Sequence, residues 1–264
     1  MMKEQSDHSV ESSLLYLVDR PEPSAADSSG WPGRSAPRAV TIANARALSD
    51  LSLDREGFCL VGHHSATANF YDAEEVRGVY YPELVQMLKE VTGASKVAIF
   101  AHDVRSSDKS KQDGDRVREP VSSVHNDYTP VSGPQMVREA LPPDEAEQRL
   151  RKRVVEINIW RPIREPVLAR PLAVCDARSI APGDLVPTDR YLKHEVFMMT
   201  FNRAHRWFYF PRMLNAETLL IKGYDSMLDG RARFTAHASF ADPATPPKAP
   251  PRESIEARAL LFFD

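Results

Sequence analysis

Apolar and polar residues alternate in short runs over the second half of the chain. Residues 154–162, 171–175, 195–201, 206–210, 218–222, 233–238 and 255–263 are each short and rich in β-branched and aromatic side chains, and most are separated by Pro, Gly, Asn or Asp. That pattern predicts strands. The first half reads differently. Phe58-Cys59-Leu60-Val61 predicts a strand, and residues 96–103, with the apolar centre Val97-Ala98-Ile99-Phe100, predict another. Between them, Val76, Val79, Tyr80, Leu84, Met87, Leu88 and Val91 follow a helical period over residues 72–92, with Gly93 just past the end. Pro82 interrupts that helix, so a kink or two helices are expected. Residues 136–153 read as a helix with a solvated, charged face. Residues 106–120 are charged and turn-rich, and predict a mobile loop, read either as part of a lid over a cavity mouth or as a solvated surface excursion.

Residues 1–38 are polar and rich in Ser, Pro, Gly and Asp, apart from a short strand at 14–18, and residues 20–38 read as an irregular loop. The expected organisation is a poorly ordered segment over 1–38 and one domain over 39–264. Many short strands after a helical part predict a mainly β, α+β fold: a jelly roll, or double-stranded β-helix, flanked by helices. In such a barrel, strands far apart in sequence can meet.

Composition narrows the function class. A chain of 264 residues with 42% hydrophobic residues can bury a sizeable core. A net charge of −3 and a pI near 6.3, with no basic tract interleaved with aromatics, give no reason to expect a nucleic-acid partner. Cys59 and Cys175 sit in apolar runs without zinc-type spacing, which predicts buried free thiols and fits a reducing, cytoplasmic setting. The early apolar stretch at 14–18 is far too short for a signal peptide, and no segment approaches the roughly 20 apolar residues of a membrane span. The oligomeric state is not encoded in any legible form.

The candidate chemistry starts at His125-Asn126-Asp127. In an extended strand, residues i and i+2 share a face, so His125 and Asp127 can reach one metal ion, and His237 can supply a third ligand from a distant strand. Two imidazoles and one carboxylate leave coordination positions open, the arrangement of non-haem Fe(II) oxygenases. Arg252 and Ser254 also share a strand face, where a guanidinium fork and a hydroxyl can hold the distal carboxylate of 2-oxoglutarate. Glu256 and Arg258 lie on that face too, so Arg258 is an alternative anchor. Other readings stay open: a surface or core histidine, an iron oxygenase without 2-oxoglutarate, a zinc hydrolase, or a jelly-roll binding protein without catalysis. His63-His64 precedes a loop that could reach the cavity mouth; His102, His194 and His205 read as structural or surface residues.

Several segments together carry a resemblance over about residues 57–264. They are Tyr80-Tyr81-Pro82-Glu83, Gly93-Ala94, Val124-His125-Asn126-Asp127, Asn158-Ile159-Trp160-Arg161-Pro162, Pro171-Leu172-Ala173-Val174-Cys175-Asp176, Lys222-Gly223-Tyr224-Asp225-Ser226, His237-Ala238-Ser239-Phe240-Ala241-Asp242-Pro243 and Arg252-Glu253-Ser254-Ile255-Glu256-Ala257-Arg258. In this order the chain resembles the CmcJ/AsaB-like oxidoreductases, which include gibberellin-desaturase-like proteins. The resemblance implies a double-stranded β-helix, Fe(II), 2-oxoglutarate as co-substrate and O₂. It implies a small-molecule substrate, often of specialised metabolism, that is hydroxylated, desaturated or rearranged. It implies His125, Asp127 and His237 as metal ligands, Arg252 with Ser254 on the co-substrate, and the strand of Asn158, Trp160 and Arg161 passing close by. Asn158 and Trp160 share one face of that strand and Arg161 takes the other, so at most one set lines the cavity.

Overall fold

Two sheets form the body of the fold in the computed structural model, which describes residues 9–19, 34–114, 116–189 and 194–264. The strands are β1 (Val10–Leu17), β2 (Ser35–Asn44), β3 (Phe58–Gly62), β4 (Lys96–Ser106), β5 (Val117–Arg118), β6 (His125–Asn126) and β7 (Val154–Pro162). They continue with β8 (Leu172–Cys175), β9 (Leu185–Asp189), β10 (Glu195–Met199), β11 (Trp207–Tyr209), β12 (Glu217–Asp225), β13 (His237–Ser239) and β14 (Glu253–Phe262). One sheet runs β1-β2-β11-β8-β13-β6-β10-β9 and the other β3-β12-β7-β14-β4-β5. These two mixed, curled sheets with few helices make the expected jelly roll.

The six-stranded sheet shows how the sequence builds the cavity. Along β7, Val155, Ile157 and Ile159 point outward into an apolar cluster, with Ile255, Ala257, Ala259 and Leu261 of β14. Leu84, Met87 and Leu88 of helix α2 (Tyr81–Thr92) complete that cluster. The alternate residues, Glu156, Asn158 and Trp160 on β7 and Arg252, Ser254, Glu256 and Arg258 along β14, therefore face the inside of the roll. Arg161 takes the outer face, fully buried beside the Tyr80 and Phe70 rings and bonded to His63 Nδ1 at 2.7 Å. His63 is thus spent on the far side of the sheet and does not reach the cavity mouth.

The helix expected over 72–92 is split. Asp72 caps a short helix, α1 (Ala73–Glu75), through the Glu74 and Glu75 amides, a π-helical turn follows over Val76–Tyr80, and α2 then starts with Pro82 in its first turn. There the missing N–H of proline costs nothing. Gly93, at φ 71°, ends α2 in the left-handed conformation. The single helix expected over 136–153 is two, α3 (Ser132–Ala140) and α4 (Pro143–Arg149), because Pro142-Pro143 forces Leu141 into an extended conformation.

Other expectations are corrected at the edges. Val10–Leu17 lies within the stretch expected to be poorly ordered, and a domain start at 39 falls inside β2; the two strands pair antiparallel from Val10↔Ile42 to Leu17↔Ser35. Much of β2 is exposed, so its apolar signal is thin. The part of the expected irregular loop at 20–33 lies outside the described residues. Residues 106–120 are not a free excursion: Val117 and Arg118 pair in parallel with β4, and Lys111 Nζ lies 2.8 Å from Glu253 Oε2. Cys175 is buried and Cys59 half-buried; both are free thiols that burial pushes up to about 12. No helix among the described residues is long and apolar enough to cross a membrane.

Gly57 joins the two sheets' loops at a point where no side chain fits. Its φ is 88°, and a Cβ there would lie 2.0 Å from Thr235 Oγ1, whose hydroxyl donates to the Gly57 carbonyl at 3.0 Å. Gly57→Ala therefore combines backbone strain with overpacking and should lower unfolding free energy by at least about 2 kcal/mol. The urea midpoint reads this directly; a midpoint within error of wild type would refute the close approach.

Candidate active site

His125 and His237 meet because β6 and β13 are neighbours, in direct register with each other. Their ring centroids lie 4.4 Å apart. Asp127 follows just beyond the end of β6, so the period-two reading holds although the strand stops at Asn126. His125 Nε2 is 3.8 Å from Asp127 Oδ1, and His237 Nε2 is 3.9 Å from Asp127 Oδ2. All three side chains are buried, and one ligand atom from each falls within 4.8 Å of the others. Each imidazole's Nδ1–H donates to the backbone carbonyl two residues upstream, Ser123 at 2.7 Å and Thr235 at 3.3 Å. This fixes the tautomer that leaves Nε2 as a lone pair turned toward the carboxylate. The donor set, its burial and its aimed lone pairs fit a divalent iron.

Two residues hold this group in place. Asn158 Nδ2 donates to Asp127 Oδ2 at 2.5 Å, from the inner face of β7. Asn126, the silent middle residue of the motif, turns the other way: its amide donates to the Tyr128 and Gly223 carbonyls at 2.6 and 2.9 Å and accepts from the Thr235 amide at 3.1 Å. It ties the two histidine-bearing segments and β12 together. A hydrophilic residue between two ligands gave no sign of this in the sequence.

The cavity over His125, Asp127 and His237 is also lined by Trp160, Leu172 and Arg252. Arg252 is 3% exposed, its guanidinium sits 5.5 Å from the Trp160 ring, and Nη1 donates to the Arg170 carbonyl at 2.8 Å. Its Nε has no partner among the described residues. Burial, then the nearby Arg105 and Arg170 cations, pull its pKa down to about 9, against the opposing effect of Glu256. Arg258 and Glu256 line the same cavity, but Arg258 is engaged: it donates to Asp103 Oδ2 and Glu256 Oε1, each at 2.8 Å. Ser254 is buried on the inner face but is not among the residues lining the cavity. Glu156, two residues before Asn158, is fully buried; neither carboxylate oxygen has a partner among the described residues, and burial raises its pKa well above the usual range. Away from the cavity, His102 bonds Tyr81, and His205 bonds Tyr16 and Asp184.

A jelly roll enclosing a buried His-Asp-His group, with an arginine in the same cavity, is the arrangement that a 2-His-1-carboxylate oxygenase requires. Comparison with known proteins makes the family definite: the chain belongs to the Fe(II)/2-oxoglutarate-dependent dioxygenases. The family described as Oxidoreductase/YMDC permease-like domain matches residues 2–262. The chain is 32% identical to the Fe(II)/2-oxoglutarate-dependent dioxygenase nvfI of Aspergillus novofumigatus, over 99% of this chain and 95% of that protein. It is 42% identical to the hydroxylase/desaturase asaB of Aspergillus flavus, over 46% of this chain and 60% of that one, which bears out the resemblance drawn from the motifs. Among solved structures, the iron and alpha-ketoglutarate-dependent endoperoxidase NvfI superposes with a TM-score of 0.83 at 30% identity, covering 98% of this chain and 99% of that chain. The protein is an enzyme that uses Fe(II), 2-oxoglutarate and O₂.

Proposed function

We propose that His125, Asp127 and His237 hold the Fe(II), that Arg252 binds the distal carboxylate of 2-oxoglutarate, and that the enzyme oxidises a small molecule of specialised metabolism in the cytoplasm. Hydroxylation, desaturation and rearrangement are all within reach of such a site. The observation that carries this reading is the buried Arg252, its Nε without a partner among the described residues, in the same cavity as the three convergent ligand atoms. The family match favours this reading over a zinc hydrolase, a 2-oxoglutarate-free oxygenase or a binding protein without catalysis, each of which could also use a buried cation for an anionic ligand.

Fe(II) and 2-oxoglutarate, held by these residues, would supply O₂ activation coupled to oxidation of a substrate C–H bond, with succinate and CO₂ as co-products. The chain's own residues supply position. The backbone carbonyls of Ser123 and Thr235 orient the imidazoles, and Asn158 holds one oxygen of Asp127 so that the other is presented. The Trp160 face supports the Arg252 guanidinium and excludes water around it. Arg258 stays with Asp103 and Glu256, which favours Arg252 as the anchor. Asn158→Ala frees Asp127 to turn, so it should weaken Fe(II) binding by roughly 10–100-fold. Anaerobic equilibrium dialysis measures this, and wild-type affinity would remove Asn158 from the metal's support. The activity itself is tested by O₂ uptake with succinate release: one succinate per O₂ supports the reading, and O₂ uptake without succinate rejects it.

A further inference from the structure

The geometry points to Arg105 as a second cationic anchor for the distal carboxylate of the co-substrate. This rests on the reading above, in which Arg252 is the first. In the β4–β14 ladder, Arg105 stands directly opposite Ser254, the inner-face neighbour of Arg252. Its register therefore places it diagonally across from Arg252, where long side chains on adjacent strands meet. Both residues line the same cavity as His125, Asp127 and His237. Arg105 is about nine-tenths buried, so a cation there needs an anion.

Among the described residues the protein supplies only a loose one. Arg105 Nη1 is used by the Glu119 carbonyl at 2.8 Å, which fixes the guanidinium, but its nearest carboxylate, Asp103, is 3.7 Å from Nη2. That carboxylate is already held at shorter range by Arg118 and by Arg258 at 2.8 Å. Arg258 also takes Glu256. Three arginines thus share two carboxylates, and the surplus positive charge falls on the member with the loosest contact. Arg105 also acts on Arg252: it is the leading neighbouring cation that disfavours the Arg252 charge. An anion bound between the two relieves both. A co-substrate with two carboxylates brings such a group; a 2-oxo acid without the distal carboxylate does not. We infer that Arg105, with Arg252, makes the enzyme discriminate for the dianion.

The test is anaerobic calorimetry on the Fe(II)-loaded full chain with two probes, 2-oxoglutarate and 2-oxopentanoate, which share the keto and first carboxylate groups and differ at the distal end. Wild type, Arg105→Gln, Arg105→Lys and Arg252→Leu are compared. Arg105→Gln should weaken 2-oxoglutarate binding by about 10–100-fold and leave 2-oxopentanoate binding unchanged. Arg105→Lys, which keeps the charge but not the fork, should lose less. Equal weakening of both probes means that Arg105 only supports the fold and overturns the proposal, as does unchanged 2-oxoglutarate affinity. If Arg252→Leu loses the preference and Arg105→Gln keeps it, this inference fails while the Arg252 assignment stands. If wild type does not distinguish the probes, the distal-carboxylate site itself is wrong and both fall.

Discussion

His125→Ala, Asp127→Ala and His237→Ala should each abolish succinate formation and weaken Fe(II) binding by more than about 100-fold, since loss of even an outer-shell partner costs roughly 10–100-fold. The fold should survive. All three side chains face the cavity, and the main-chain pairing of β6 with β10 and β13 does not depend on them. Fe(II) content after anaerobic dialysis, circular dichroism and coupled succinate assays give the three readouts. Asp127→Ala also leaves the Asn158 amide without its acceptor at 2.5 Å, so of the three it should lose the most stability. Full activity in any one variant would remove that residue from the metal site.

Arg252→Leu should raise the requirement for 2-oxoglutarate by roughly 30-fold or more while leaving Fe(II) binding intact, because losing a desolvated charged pair costs about 2–5 kcal/mol. In wild type, binding 2-oxoglutarate should also raise the unfolding temperature, since it compensates a buried cation that the empty protein tolerates at a cost. That shift should vanish in the variant. Arg258→Leu should behave in the opposite way. It takes from Glu256 the arginine it is paired with and from Asp103 one of three arginines, leaving Arg118 and the looser Arg105, so the loss falls on stability. A selective 2-oxoglutarate defect in Arg258→Leu, with none in Arg252→Leu, would move the anchor along the strand.

Much of this site is legible because its chemistry obeys the period of a strand. His125 and Asp127 two apart, and Arg252 through Arg258 on one face, could be placed on common surfaces before any coordinates. The strand at 154–162 is seen for the same reason: Val155, Ile157 and Ile159 alternate with Glu156, Asn158 and Trp160, and the apolar set packs on α2. The break between α3 and α4 is missed, because the charged helical pattern over 136–153 runs across Pro142-Pro143, whose steric demand ends α3. Where burial is thin the signal fades, as in the exposed β2. At 233–238 the pattern overreaches: β13 begins only at His237, because the Thr235 amide is spent on Asn126 outside any ladder. Arg105 was invisible for a further reason. Its meaning lies in the register of β4 against β14, including an irregularity between Arg258 and Ala259, and a single chain read in order carries no register.

The most direct test of the account needs no substrate. Fe(II) is added to the protein without O₂, followed by 2-oxoglutarate, and the visible spectrum is recorded. A weak charge-transfer band that saturates at one equivalent of each, and that is lost in His237→Ala, is the result expected if His125, Asp127 and His237 hold the metal with open positions beside Arg252. A protein that binds Fe(II) but gives no such band at saturating 2-oxoglutarate, or gives it equally well without His237, would contradict the account.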